Sequence, residues 1–186
     1  MEKTALIVVD MVKDFTQPDG LVYYPQNAVV LPIIGKVVDY FHETNRTVIF
    51  IRHSYRAGKY DRNLVTMRPN CIEGTGGDEI DPSLNVLDSD YQIKKRRYSA
   101  FFGTDLDLVL RENKIERVVI VGTKTNNCIR ATVTDAHYLD YRPVVLSDCV
   151  ATNSELVNRV HLEDIAKYLG QVMTSEELIN LLESEQ

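Results

Sequence analysis

Hydrophobic positions along the chain follow two rhythms. "TALIVV" at residues 4–9 is an unbroken apolar run with β-branched side chains, closed by Asp10. A strand with one wet face alternates apolar and polar residues, so an uninterrupted run marks a strand buried on both faces of a parallel sheet. "TVIFI" at 47–51, "RVVIVG" at 117–122 and "PVVLSD" at 143–148 repeat the pattern, and "YQI" at 91–93 and "GQVMT" at 170–174 are shorter candidates. Between them lie helical spacings. Residues 27–45 place Val30, Ile33, Ile34, Val37, Val38 and Phe41 on one stripe, with Pro32 tolerable near the start. Residues 104–113 read as a helix with Thr104 as N-cap and Asp107 approximating a capping box, and further helices are expected at 127–139, 154–168 and 175–182. Strand and helix alternate throughout. That order predicts an open, mostly parallel six-stranded sheet with helices on both faces, a three-layer α/β/α sandwich of Rossmann-like architecture with right-handed crossovers.

Length and composition narrow this picture. A chain of 186 residues makes one domain, 1–186, with no linker or repeat in view. A formal charge of −6 excludes broad binding to nucleic acid or an anionic membrane, both of which need surplus Lys and Arg, and leaves a small-molecule or protein partner. The first apolar run is too short to span a bilayer, and neither a signal peptide nor an anchor is visible, so a cytoplasmic location is expected. Cys71, Cys128 and Cys149 are odd in number and lack C-x-x-C spacing. Reduced thiols are therefore expected, with neither a disulfide framework nor a structural zinc site.

In open parallel sheets, ligands collect beyond the carboxyl ends of the strands, near the point where strand order switches. Asp10 follows the first strand, Lys94 and Lys95 follow "YQI", and Cys128 follows the turn after "RVVIVG". Each also has an ordinary reading. Asp10 can cap a turn, "KKRR" at 94–97 can be a solvated charge run, and Cys128 can be a small buried hydrophobe. Alternation in an extended segment sends Lys94 and Lys95 to opposite sides, so one can point inward. At a helix start, N–H groups and the helix dipole would stabilise a Cys128 thiolate and lower its pKa. Residues 53–82, polar and rich in Arg, Asn and Gly, predict a long loop of the kind that often carries function.

Three stretches, "ALIVVDMVKDF" at 5–15, "KRRYSAFFGTDLD" at 95–107 and "VVIVGTKTNNCIRATVTDA" at 118–136, occur in the order found in the isochorismatase-like cysteine hydrolases, which the sequence resembles over almost its whole length. The resemblance implies a catalytic triad of Asp10, Lys95 and Cys128, with Lys95 preferred over Lys94 because it stands four residues before "SAF". It implies hydrolysis of a C–N bond in a small amide, carbamoyl or ureido compound through a Cys128 thioester, without a cofactor. It further implies an oxyanion hole from the backbone N–H groups of Lys124 and Cys128 beside a cis Thr123–Lys124 bond. Dimers or tetramers whose interfaces complete the pocket are expected from the same resemblance. Nicotinamidases, which are similar to this chain, carry a carboxylate two residues before the histidine corresponding to His53 and bind a metal there. Ile51 holds that position here, so no metal is expected and His53 becomes a pocket wall or a satisfied polar residue. His42, His137 and His161 read as helix-surface residues. Phe15, Tyr24 and Phe101 are candidate apolar walls, and the arginines of the loop region, Arg52, Arg56, Arg62 and Arg68, are candidates to grip a substrate carboxylate. The competing readings are a noncatalytic binding or assembly protein on the same fold, and a nicotinamidase with an atypical metal site.

Overall fold

A computed structural model describes residues 3–185. Six strands, all parallel, form one sheet: β1 (Thr4–Val9), β2 (Thr47–His53), β3 (Tyr91–Lys95), β4 (Arg117–Thr123), β5 (Arg142–Ala151) and β6 (Gln171–Met173), in the spatial order β3-β2-β1-β4-β5-β6. Alternation along β1 shows how the layers arise. Ala5, Ile7 and Val9 face one core together with α3 (Leu106–Glu112), α4 (Arg130–Tyr138) and α5 (Glu155–Tyr168), whereas Leu6 and Val8 face a second core with α2 (Pro25–Glu43) and α6 (Ser175–Ser184). A short α1 (Lys13–Thr16) follows Asp10. No helix among the described residues is long and apolar enough to cross a membrane.

Several elements differ from the expected boundaries, each for a local reason. β2 runs two residues further than its apolar core because His53 is in register with Lys95 of β3, which carries Arg52 and His53 out of the loop and into the sheet. β5 continues through Cys149 to Ala151 after a register shift between Ile120 and Gly122 of β4. α3 begins at Leu106 with Asp105 as N-cap and no capping box, since the Thr104 hydroxyl is spent on the carbonyl of Ala100 at 2.5 Å while accepting from the Leu106 N–H at 3.3 Å. Before α4, residues Thr125–Ile129 make a π-helical turn, closed by a hydrogen bond from the Ile129 N–H to the Lys124 carbonyl. The loop after β2 is tied down by a 3₁₀ turn at Arg62–Val65 and by bridges pairing Val12 with Ile80 and Tyr55 with Ile72.

Candidate active site

Strand order reverses direction between β1 and β4, and the site lies at the carboxyl ends of that pair and of β2 and β3. Close approach of β1 and β4 depends on Gly122, whose φ is 115° and where a Cβ would collide with the Val9 carbonyl oxygen. At the end of β1, Asp10 adopts φ 56°, a left-handed conformation that Asp tolerates better than most residues, while its N–H bonds the Ile51 carbonyl at 2.9 Å. Lys95 is the last residue of β3. Ile93 and Lys95 face inward there while Lys94 faces solvent and pairs with Glu73, so the pleat selects Lys95 from the charge run.

The Lys95 ammonium is fully buried and gathers the other groups around itself. It lies 2.7 Å from Asp10 Oδ2, 3.3 Å from Cys128 Sγ, 2.9 Å from His53 Nδ1 and 3.1 Å from the Arg97 carbonyl. Cys128 is in the π-helical turn, and the Thr132 hydroxyl fixes that turn, donating to the Cys128 carbonyl at 2.7 Å and accepting from the Ala100 N–H at 3.0 Å. The segment after β3 is thereby fastened to the segment after β4. The peptide bond joining Thr123 and Lys124 is cis.

Burial governs the protonation of these groups. It raises Asp10 above the ordinary carboxylate range against the pull of Lys95. Burial works against the Lys95 charge too, but Asp10 and Cys128 together hold its pKa above the usual lysine value. The Cys128 thiol is pushed up to about 12, first by burial and then by Asp10, with Lys95 opposing. This corrects the expectation of a thiol acidified by a helix start: the enclosed π-turn leaves the resting sulfur protonated. His53 is kept well below 6.5 by burial and by Lys95, Arg96 and Arg97. Its ring is neutral, and because Nδ1 accepts from the Lys95 ammonium, the ring proton belongs on Nε2. Sequence reasoning leaves His53 as a pocket wall or a satisfied polar residue and does not name Lys95 as its partner, although its place two residues after "IFI" matches the end of a strand beside that lysine.

A cavity of about 350 Å³ opens over Cys128. Phe15, Tyr24 and His53 line it as expected, and so do Tyr55, Met67, Asn70, Tyr98, Lys124 and Asn153. Five other candidates do not. Arg52 turns back to the loop, donating to the Asp78 carbonyl at 2.7 Å and pairing with its carboxylate at 3.3 Å. Phe101 stacks on Tyr141 at 5.8 Å inside the core, the aromatic partner having outcompeted the cavity. Arg56, Arg62 and Arg68 are exposed and outside the lining. His42 is not a free surface residue either, since Asp90 holds it at 3.0 Å. Carboxylates clasp the outer wall to the body. Asp14 accepts from the Cys71 N–H at 2.6 Å, Asp78 from the Ser54 hydroxyl at 2.7 Å, and Asp81 from the Thr16 hydroxyl at 2.6 Å.

Ligand atoms of Asp10, His53 and Cys128 lie within 4.8 Å of one another, a spacing that can hold a metal ion. The Lys95 ammonium already contacts all three, so a metal would have to displace a cation whose own pKa is raised. Ile51 packs into the core and offers no carboxylate beside His53.

Comparison with known proteins agrees with this fold. Residues 4–177 match the family model described as the isochorismatase domain. The chain belongs to the isochorismatase family. An uncharacterized isochorismatase family protein of Bacillus subtilis is 32% identical over 96% of this chain and 93% of its own. A ureidoacrylate amidohydrolase of Acinetobacter baylyi is 29% identical over 100% of this chain and 86% of its own. Among solved structures, a cysteine hydrolase from Pseudomonas syringae pv. phaseolicola superposes with a TM-score of 0.93 at 30% identity, covering 99% of this isochorismatase-family chain and 94% of the other.

Proposed function

We propose that the protein is a cysteine amidohydrolase that cleaves a C–N bond of a small amide, carbamoyl or ureido compound through a thioester on Cys128. What carries this reading is the arrangement of Asp10 and Cys128 about one buried ammonium at the floor of the cavity. A thiol with pKa about 12 needs a base at the moment of attack, and a carboxylate with a raised pKa accepts its proton better than an ordinary one. Asp10 takes the Cys128 proton, and the sulfur attacks the carbonyl carbon while Lys95 balances the negative charge. The oxyanion is assigned to the backbone N–H groups of Lys124 and Cys128. Asp10 then returns the proton to the departing nitrogen, the C–N bond breaks, and ammonia or an amine leaves. Water attacks the thioester, giving its proton to Asp10, and the thiol is restored as the acid departs.

The test is ammonia release across a panel of amides, carbamoyl and ureido compounds, with mass spectrometry to trap an acyl group on Cys128. Cys128→Ala and Asp10→Asn should each abolish release. A turnover that survives Cys128→Ala overturns the mechanism. Alkylation by iodoacetamide separates this reading from a noncatalytic binding protein: Cys128 should react far faster than the fully buried Cys71 and Cys149, and Asp10→Asn should slow it.

A further inference from the structure

Lys124 is the one charged residue lining the cavity among the described residues, His53 being neutral. Its ammonium forms no ion pair or hydrogen bond among the described residues, and lies 5.6 Å from the centre of the Tyr24 ring. That ring is itself immobilised, its hydroxyl bonding the Thr123 hydroxyl and the Ala151 carbonyl. A solvated surface lysine would extend into water, whereas this one is partly buried along an aromatic wall. None of the lining residues is acidic, and Asp10 behind them is matched by Lys95. The cavity therefore carries a surplus positive charge in a protein whose formal net charge is −6.

We infer that Lys124 binds a carboxylate on the substrate, so that the enzyme selects an anionic amide or ureido compound over its neutral counterpart. The inference rests on the amidohydrolase reading of the same cavity and deepens it. Lys124 takes over the part expected of the loop arginines, which face elsewhere. A lysine suits this part, because its flexible stem reaches across the cavity and delivers a point charge to a carboxylate that is not required to sit in one plane. The Asn127 and Asn153 side chains, both on the lining, can add amide hydrogen bonds to the same group.

The experiment needs no knowledge of the natural substrate. Iodoacetate and iodoacetamide deliver the same alkyl group to Cys128, one carrying a carboxylate and the other a neutral amide. Their rate ratio at Cys128, normalised to a free small thiol, is measured for the wild type, Lys124→Met and Lys124→Arg. One partly screened ion pair predicts about a fivefold fall in the ratio for Lys124→Met, near 1 kcal/mol, and a ratio within about twofold of wild type for Lys124→Arg. The wild-type ratio should also shrink as salt is raised. An equal ratio in Lys124→Met and wild type overturns the assignment. A Cys128 that alkylates no faster than Cys71 or Cys149 would instead defeat the nucleophile reading, and the ratio would still be measurable over longer exposure.

Discussion

Replacing Lys95 by Met keeps most of the stem and removes the charge on which the cluster is centred. At 2.7 Å from Asp10 and an effective dielectric of about 20, the lost attraction is roughly 6 kcal/mol. Much of that offsets the hydration both groups gave up, so stranding one partner of such a pair costs about 3–5 kcal/mol. For a chain of this size the melting temperature should fall by roughly 10 °C. Asp10 recovers part of the loss by binding a proton. Its folded-state pKa, already above the 3.8 of an exposed aspartate, rises further in the variant. The variant's native state then holds a proton that the unfolded chain lacks, so the Asp10 contribution to its stability rises as pH falls towards 3.8 and its deficit against wild type narrows. Urea titrations of wild type, Lys95→Met, Asp10→Asn and the double variant at pH 7 check this. The double variant should be about 2 kcal/mol more stable than the sum of the single effects implies. Effects that add within about 0.5 kcal/mol would show that the two charges do not stabilise each other, and the reasoning about the cluster would fail.

His53 is neutral in the fold but takes a proton below 6.5 once unfolded, so it should make stability fall on acidification through that value by up to about 1.4 kcal/mol per pH unit. His53→Gln should flatten that slope in urea titrations between pH 7 and 5. Gly122→Ala meets both a φ of 115° and the Val9 carbonyl oxygen, and should cost more than about 2 kcal/mol by thermal or urea unfolding. A cost below about 0.5 kcal/mol would mean that β1 and β4 separate freely at the site.

The sheet was legible in the sequence because a strand buried on both faces leaves a continuous apolar run, and β1, β2, β4 and β5 all carry one. Lys95 could be chosen over Lys94 from the motif spacing, and the pleat of β3 supplies the physical reason. The cavity wall was less legible. Tyr55, Met67 and Asn70 arrive from a loop whose path is set by distant carboxylates at 14, 78 and 81, and no local periodicity records such pairings. Arg52 and Phe101 were misplaced for a similar reason: each found a partner, Asp78 and Tyr141, remote in sequence. The protonated resting state of Cys128 follows from enclosure, which position after a strand does not reveal.

The clasped loop divides the molecule's labour. Asp10, Lys95, His53 and Cys128 hang from strands and from the turn before α4, where a shift of one side chain disturbs three others. Met67 and Asn70 are carried instead by a segment with its own fastenings, so exchanging them can reshape the cavity wall without loosening the cluster around Lys95 beneath.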